Sequence, residues 1–402
     1  MSITKSNKIL YISSNLPFDV PYAGNKTSHK ILSHLSENYV IDSIIFYNKI
    51  ESKYLNQFKK FIKSKGIKLV SFRYVSNNLR IIKFIILFWL PLLFSIRINL
   101  LVILKFLFSK KKYDFVYSEW SQSFILSILR SKLLKVKLIL SLQDVLIQSF
   151  YRKYKIEDSY IKKTFYYLEY IKLIYWEPKI LRCADHIIVQ SQKDKDIIFN
   201  YLKSQFPPIS VITPYISSSL HFSPSTHSNQ FNVILWGAVD RVENVQAIKH
   251  YLLNIHPIVR KKIQTYKFYI VGANPPQEIF DMSSDDVIVT GFVDDPSTIF
   301  NNSHLSVVPL LTGAGIKVKT LESLLMGLPT VSTEIGAEGI NIEEEYGLYV
   351  RNHVNEFVDT IFSVYERYLD NTISKVNIRN NLTKSYDFSK SLEIISSIIS
   401  KV

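Results

Sequence analysis

The sequence has a single cysteine among 402 residues, Cys183, which excludes an intramolecular disulfide and any metal cluster held by several cysteines. It also lacks a recognisable secretion signal, because the polar start Met1–Asn7 leads directly into the short apolar run Ile9–Ile12. Both absences favour a protein of the reducing cytoplasm. The position of Cys183 at a helix-to-strand corner predicts a buried structural thiol.

Acidic residues are scarce relative to basic ones, with 34 Asp and Glu against 49 Lys and Arg, a net charge of +15. Such an excess predicts an anionic partner: a nucleic acid, an acidic membrane face or a phosphorylated ligand. Much of the basic charge lies between apolar segments, as in Lys110–Lys112 and Lys132–Lys137, and no nucleic-acid-binding motif is visible. We therefore expect contact with the anionic inner membrane surface and no nucleic-acid partner.

A hydrophobic run long enough to span a membrane is also lacking. Residues 84–96 carry no charge and residues 98–104 are largely apolar, but Pro91, Arg97 and Lys105 interrupt the stretch. A spanning helix needs about 20 consecutive apolar residues. Two interpretations of 84–108 remain open: helices buried in an amino-terminal domain, or a helix pair that docks at the membrane interface.

What is present is a repeated alternation of strand and helix. The composition, 47% apolar and 21% charged, is typical of a folded globular protein. Alternating strands and helices indicate an α/β protein with parallel, doubly wound sheets. Predicted helices include 159–182, 243–254 and 316–326. The predicted strands are 8–14, 40–47, 67–72, 113–118, 137–142, 185–190, 209–213, 231–236, 266–271, 286–290, 304–309 and 329–333.

A break rich in proline and serine divides this pattern in two. We predict an amino-terminal Rossmann-like domain over residues 1–206, a linker over 207–230, a carboxyl-terminal Rossmann-like domain over 231–384, and a last helix over 385–402 that packs back on the first domain. Ligands of such sheets bind beyond the carboxyl ends of the strands. A cleft between the two domains is the expected active site.

The most informative segment is Val307–Pro329, in which an apolar strand, a glycine-containing loop and a helix follow one another. Gly313 and Gly315 allow a ligand to approach the backbone closely. The free N–H groups and the positive dipole at a helix start bind diphosphates well. Lys317 and Lys319 place cations where the helix dipole disfavours them unless an anion is bound. The segment therefore predicts a diphosphate site, although a simple turn would also account for the glycines alone.

Glu322 lies about two turns beyond Gly315 and can reach a group past the phosphates. A carboxylate that accepts hydrogen bonds from two neighbouring hydroxyls suits a ribose. The alternative is a solvated helix residue that pairs with Lys319 three positions earlier.

This segment resembles the donor-binding segment of GT-B glycosyltransferases, in particular the family 4-like group with the pattern Pro-Leu-x-x-Gly-x-Gly-x-Lys-x-Lys-x-x-Glu. The strand, glycine and helix over 231–248, the strand ends at 269–272 and 289–295, and the loop 333–339 resemble the same family. The resemblance covers residues 231–340 well and the amino-terminal half loosely.

The resemblance implies a GT-B architecture and a retaining transferase that uses a nucleoside-diphosphate sugar as donor, with no bound cofactor and no metal. Glu322 would hold the ribose, and the base would lie near Phe292. On the amino-terminal side, the donor-facing loop corresponds to Ala23–Asn25. The remaining donor-binding candidates are Gly313, Ala314, Gly315, Ile316, Lys317, Lys319, Arg241, Gly237, Gly24 and Asn25.

The sequence departs from the family pattern at several of these positions. Ala314 replaces a frequent Glu, Ala238 replaces a common Arg, Glu243 replaces a Lys, and Gln143 precedes Asp144 where the family often has His-Asp. Arg241 is a candidate for the missing cation, and a surface-loop arginine is the equal alternative.

Catalysis in the implied mechanism needs no protein nucleophile, because the leaving diphosphate itself can take the acceptor proton. Lys317 is then the catalytic candidate that stabilises developing negative charge. Asp144 and Glu119, at the ends of two amino-terminal strands, are candidates for orienting the acceptor, and helix capping is at least as good an explanation for both. The histidines show no metal-binding spacing.

We therefore expect a glycosyltransferase of bacterial surface polysaccharide synthesis, such as capsule or lipopolysaccharide, acting on a glycan or lipid-linked acceptor. It would be cytoplasmic and peripheral on the inner face of the membrane. Two alternatives remain: another GT-B enzyme, such as a sugar epimerase or phosphorylase, or a non-catalytic protein that binds nucleotide sugars.

Overall fold

A computed structural model of the chain describes residues 7–20, 23–75, 88–96, 100–202, 206–216, 220–223 and 229–401. These residues form two compact units. The first contains the described residues up to Tyr215 together with the last helix, Phe388–Lys401. The second extends from Ile216 to Asp387.

The first unit is built on a parallel sheet that has seven strands within the described residues, in the order β3-β2-β1-β4-β5-β6-β7. Its strand order changes direction beside β1, which pairs with both β2 and β4, so the carboxyl ends of β1 and β4 lie at a topological switch point. The strands are β1 (Lys8–Ser13), β2 (Val40–Tyr47), β3 (Lys68–Tyr74), β4 (Phe115–Glu119), β5 (Lys137–Ser141), β6 (His186–Val189) and β7 (Ile209–Val211).

Helices cover both faces of this sheet, which is why its strands are continuous apolar runs. Leu10 and Ile12 of β1 pack in one core cluster, whereas Ile9 and Tyr11 pack in another, as expected when successive side chains point to opposite faces. The helices of the first half of the chain are α1 (Ala23–Asn38), α2 (Leu55–Ser64), α3 (Leu92–Ile96), α4 (Leu100–Phe108), α5 (Phe124–Leu134), α6 (Leu146–Ile156), α7 (Tyr160–Leu181) and α8 (Gln192–Leu202).

The second unit has a parallel sheet of six strands within the described residues, in the order β10-β9-β8-β11-β12-β13. The strands are β8 (Phe231–Trp236), β9 (Tyr266–Val271), β10 (Val287–Gly291), β11 (Leu305–Val308), β12 (Thr330–Ser332) and β13 (Leu348–Val350). The later helices are α9 (Val242–His250), α10 (His256–Lys262), α11 (Gln277–Phe280), α12 (Ser297–Asn301), α13 (Val318–Leu325), α14 (Val354–Leu369), α15 (Lys375–Ser385) and α16 (Phe388–Lys401).

The predicted α/β class with two doubly wound sheets is confirmed, and the strands predicted at 231–236 and 266–271 coincide with β8 and β9. The helix predicted over 243–254 is α9 followed by a π-helical turn, Tyr251–Ile255. The last helix, α16, contributes Ile395, Ile398 and Ile399 to a core cluster of the first unit.

The apolar stretch 84–108 is described in part, because residues 84–87 and 97–99 lie outside the described residues. Its described part includes α3 and α4, and Phe94, Val102 and Phe106 are buried in the core of the first unit. Across the described ranges, none of the helices combines the length and the apolar character needed to span a bilayer.

Cys183 is partly exposed, with its thiol near the carbonyl oxygen of Lys179. The prediction of a buried structural thiol is therefore wrong. The corner that carries Cys183 lies between α7 and β6.

Candidate functional site

The predicted diphosphate loop lies between β11 and α13 at the carboxyl edge of the second sheet. The helix begins at Val318, two residues later than predicted, and Lys317 is the residue immediately before it. Gly313, with φ 140°, and Gly315, with φ 70°, adopt backbone conformations that favour glycine. The loop therefore enters the helix through two backbone conformations that other residues rarely adopt.

Two lysine side chains pack over two glycines at this edge. A Cβ on Gly313 would lie 3.2 Å from Cε of Lys317, and a Cβ on Gly237 would lie 3.3 Å from Cδ of Lys319. Gly237 directly follows β8, next to β11 in the sheet. The glycines therefore make room for the two cations, which are brought together with the loop as the sequence predicted.

Lys319 is held by the loop and helix that follow β8. Its Nζ donates to Oδ1 of Asn244 over 2.6 Å, and Nδ2 of Asn244 donates to the carbonyl oxygen of Ala238 over 2.7 Å. Burial, together with the positive charges of Lys317 and Arg241, lowers the pKa of Lys319 to about 7. The site is thus an assembled cluster of cations in which adding an anion would relieve repulsion.

Lys317 donates a hydrogen bond to the carbonyl oxygen of Gly315, and its Nζ lies 3.6 Å from Oε2 of the buried Glu338. Glu338 belongs to the loop after β12, within the Gly-Ala-Glu-Gly sequence at 336–339. The sequence resemblance included this loop but assigned Glu338 no role. Its contact with Lys317 marks it as a member of the site.

Glu322 is 9% exposed, so the alternative of a solvated helix residue is wrong. Its Oε2 accepts a hydrogen bond of 2.8 Å from Nε1 of Trp236, the last residue of β8. Lys319 donates to Asn244 rather than forming the expected helix pair. The carboxylate of Glu322 is therefore buried and held by the indole N–H of a neighbouring strand.

Phe292, the predicted neighbour of the base, follows β10 and is 65% exposed. Arg241 precedes α9 and is exposed. Ala314 and Ile316 lie in the loop between β11 and α13 and are partly exposed. The second unit thus holds all of its predicted donor-side residues at or near the carboxyl edge of one sheet.

In the first unit, Gly24 and Asn25 lie in the first turn of α1. The prediction of a loop at Ala23–Asn25 is therefore wrong. Asn25 is buried, and its Nδ2 donates to Oε1 of Glu51 over 2.7 Å and to the carbonyl oxygen of Leu16 over 2.8 Å. The side-chain N–H groups of Asn25 thus donate hydrogen bonds inside the first unit.

Gly24 is a point of close approach that sequence reasoning did not detect. A Cβ there would lie 2.5 Å from the ring of Trp120 and 3.3 Å from Oε1 of Gln143. Trp120 itself has a positive φ of 68° and directs its Nε1 to the hydroxyl of Ser28 at 3.3 Å. Glycine at position 24 is required by this indole, and no local pattern in the sequence reveals the contact.

Glu119 ends β4 and has no exposed surface, so its predicted place at an accessible lip is wrong. Tyr11 donates a hydrogen bond of 2.9 Å from its hydroxyl to Oε2 of Glu119. Burial raises the pKa of Glu119 to about 7.

Asp144 lies in the loop after β5 and is partly buried. Its charge helps to raise the pKa of Glu177 to about 8, although burial is the larger cause. Glu177 accepts hydrogen bonds from the N–H groups of Leu146 and Ile147 at the start of α6. Glu177 thus caps the start of α6, which it approaches from α7.

We expect Glu119→Gln to stabilise the protein in alkaline solution. Between the ordinary pKa of a glutamate, about 4.5, and the folded value of about 7, the folded state binds more protons than the unfolded state, so stability falls as pH rises through this window. Glutamine keeps an acceptor for Tyr11 and removes the charge. Thermal melts should show a higher Tm for the variant at about pH 8 and nearly equal values at about pH 4. If the variant and the unaltered protein have the same Tm at both pH values, the burial of an ionisable Glu119 is contradicted.

No group of three or more His, Cys, Asp or Glu side chains within the described ranges is arranged to hold a metal ion.

Comparisons with known proteins agree with this geometry. Residues 230–367 match the family model described as "Glycosyl transferases group 1". The match covers most of the second unit, and the chain has the GT-B fold expected from the resemblance. These matches support a glycosyltransferase role.

The individual proteins that the chain resembles are distant from it in sequence. A Klebsiella pneumoniae protein named "Uncharacterized 44.6 kDa protein in cps region" is 26% identical over 364 residues, which cover 86% of this chain and 87% of the relative. Anabaena Alr3699/HepE in complex with UDP-glucose matches with a TM-score of 0.65 and 13% identity, over 98% of this chain and 100% of that one. Sucrose-phosphate synthase from Thermosynechococcus elongatus matches with a TM-score of 0.69 and 14% identity, over 98% of each chain.

Proposed function

We propose that the chain transfers a sugar from a nucleoside-diphosphate sugar to a glycan or lipid-linked acceptor in the synthesis of a bacterial surface polysaccharide. The observation that carries this proposal is the packing of Lys317 and Lys319 over two glycines at a helix start, with the buried carboxylate of Glu322 one turn further on. The UDP-glucose complex of Anabaena HepE and the cps-region relative from Klebsiella pneumoniae support the donor class and the pathway class.

In this proposal the diphosphate binds the backbone N–H groups between Gly313 and Lys317, and the two lysines and Arg241 balance its charge. These cations neutralise the charge of the diphosphate, as a metal ion does in other enzymes, so transfer proceeds without a metal. Glu322 accepts hydrogen bonds from the ribose hydroxyls. Phe292 offers an exposed ring against which the base can stack.

The transfer step retains the configuration of the sugar. The bond between the anomeric carbon and the diphosphate oxygen breaks, the acceptor oxygen bonds to the same face of that carbon, and its proton passes to the leaving diphosphate. Lys317 and Lys319 stabilise the charge that grows on the diphosphate as the bond breaks. In this proposal the carboxylate of Asp144 orients the acceptor, because Glu119 is fully buried.

The protein acts at the inner face of the cytoplasmic membrane, where lipid-linked acceptors are found. Its net charge of +15 supports attraction to an anionic bilayer.

A panel of nucleoside diphosphates and their sugars tests the donor proposal by thermal shift. A ligand at a hundred times its Kd stabilises the folded state by about 2.7 kcal/mol, which is readily measured. Donors that bind are then incubated with and without a lipid-linked acceptor fraction, and the anomeric configuration of the product is read by NMR.

Transfer to the acceptor with retained configuration is the expected result. An epimerised nucleotide sugar formed without acceptor would replace the proposal by an epimerase, and binding without any turnover would favour a non-catalytic binder. If no nucleoside diphosphate shifts the melt, the donor site itself is wrong.

A further inference from the structure

Helix α7 presents apolar side chains to solvent along its whole length. At 3.6 residues per turn their positions fall on one side of the helix, and their exposure ranges from 44% to 83%. A helix on a protein surface ordinarily shows polar residues on that side. We call this surface the α7 stripe, formed by Tyr160, Ile161, Tyr167, Leu168, Ile171, Ile174 and Tyr175.

The opposite side of α7 is fixed in the first unit. Leu173 and Ile180 are buried in its core. Two carboxylates on this side are also buried and bound: Glu169 accepts from the N–H of Leu92 and from Lys172, and Glu177 accepts from two N–H groups of α6. Rotating the helix to hide the α7 stripe would break these hydrogen bonds and expose the core, so the exposure of the stripe belongs to the fold.

Basic side chains lie beside the α7 stripe, and the acidic residues Glu157 and Asp158 come just before its first residue. Lys179 lies with its Nζ 3.5 Å from the centre of the Tyr175 ring, and the side chains of Lys155 and Lys162 are exposed. The basic residues of α6 and α7 are Arg152, Lys153, Lys155, Lys162, Lys163, Lys172 and Lys179, whereas both glutamates of α7 are buried.

Two further aromatic side chains extend the surface at the carboxyl end of α7. Phe88 is 66% exposed and Trp89 is 50% exposed. Trp89 lies against Trp176 with ring centres 5.3 Å apart, and Nε1 of Trp176 donates to the carbonyl oxygen of Trp89. Tyrosine and tryptophan are enriched where a protein meets the headgroup layer of a bilayer, since their rings are apolar and their edges are polar.

We propose that the α7 stripe lies in the headgroup region of an anionic membrane, with the helix parallel to the bilayer plane. A helix of this length, about 33 Å, presents its apolar side to the acyl boundary while the flanking lysines reach lipid phosphates. A second copy of the chain is a poorer occupant, because a two-fold contact through this surface would bring lysines of one copy against lysines of the other. The inference rests on the proposed membrane location and is independent of the transfer chemistry.

The test is co-sedimentation of the full chain with vesicles made of equal parts phosphatidylglycerol and phosphatidylcholine, at low salt. The variant Ile161→Ser, Leu168→Ser, Ile171→Ser changes only exposed stripe residues and is expected to weaken vesicle binding at least tenfold. Its matched control, Leu253→Ser, Leu369→Ser, changes exposed leucines of the second unit and should bind vesicles like the unaltered protein.

A charge variant provides a second arm that keeps every apolar side chain of the α7 stripe. Lys155→Gln, Lys162→Gln, Lys179→Gln is expected to lose about fivefold in binding for each lysine. Its control is the removal of three equally exposed lysines from α2 of the same unit, Lys59→Gln, Lys60→Gln, Lys63→Gln, at the same change in net charge.

The outcomes separate the possibilities. If both stripe variants bind vesicles like their controls, the α7 stripe is not the membrane contact, whereas the membrane location stands. If the unaltered protein does not bind anionic vesicles, both statements fail. A dimer in sedimentation velocity that the serine variant converts to a monomer would assign the surface to a second copy. UDP binding is measured on every protein. Binding by the unaltered protein tests the donor proposal, and equal binding by a variant shows that the variant is folded.

Discussion

Glu322→Gln is expected to weaken UDP binding by about 30- to 100-fold while leaving the binding of inorganic pyrophosphate unchanged. Hydrogen bonds to a charged group contribute about 1.5–3 kcal/mol each, and this variant removes the charge that the ribose hydroxyls would meet. Glutamine preserves the shape of the side chain and an acceptor for Nε1 of Trp236, so the neighbouring packing is kept. Isothermal titration calorimetry with both ligands provides the measurement.

The matched control is Glu366→Gln, an exposed glutamate on α14 of the same unit, which should leave both affinities unchanged. Equal weakening of UDP and pyrophosphate in Glu322→Gln would show that the carboxylate supports the diphosphate rather than the ribose. Unchanged affinity for both ligands would remove Glu322 from the site.

Lys319→Met is expected to have opposite effects on the free protein and on binding. The free protein should melt at a higher temperature, because the variant removes a partly buried cation that lies near Lys317 and Arg241. UDP and pyrophosphate should both bind about 100-fold more weakly or worse, because one of the charges facing the diphosphate is lost. Differential scanning fluorimetry with and without ligand measures both effects in one experiment.

The pKa of Lys319 predicts a second difference between the unaltered protein and Lys319→Met, in how stability and UDP affinity change with pH. The folded pKa of about 7 lies below the ordinary lysine value of 10.5, so the unfolded state binds more protons in this window and the stability of the free protein rises with pH there. A bound diphosphate favours the protonated amine, so UDP affinity should fall by up to tenfold per pH unit above about pH 7, with proton uptake on binding. Lys319→Met should lose this pH dependence. A steep dependence that survives in Lys319→Met would assign the titration to another group.

The extent of agreement between sequence and structure differs between the two units. In the second unit, the strand, the glycine loop and the helix of Val307–Pro329 follow one another in the chain, so periodicity and glycine placement were enough to locate them. In the first unit, the corresponding prediction failed at Ala23–Asn25, which is a helical turn packed beneath Trp120. Residue 120 is distant from residue 24 in sequence, and local patterns carry no information on such a contact.

The amino-acid sequence alone determined the α/β class, most strand positions, the net positive charge and the candidate diphosphate loop, because composition, hydrophobic periodicity and glycine spacing can be read from the chain without knowledge of distant contacts. Tertiary structure decided the chemical state of the site. Lys319 meets Asn244 across 75 positions of chain, and Glu322 meets Trp236 across 86. The depressed pKa of Lys319, the burial of Glu119 and the exposure of the α7 stripe all depend on which distant elements exclude water from a side chain, and only the packed fold specifies that.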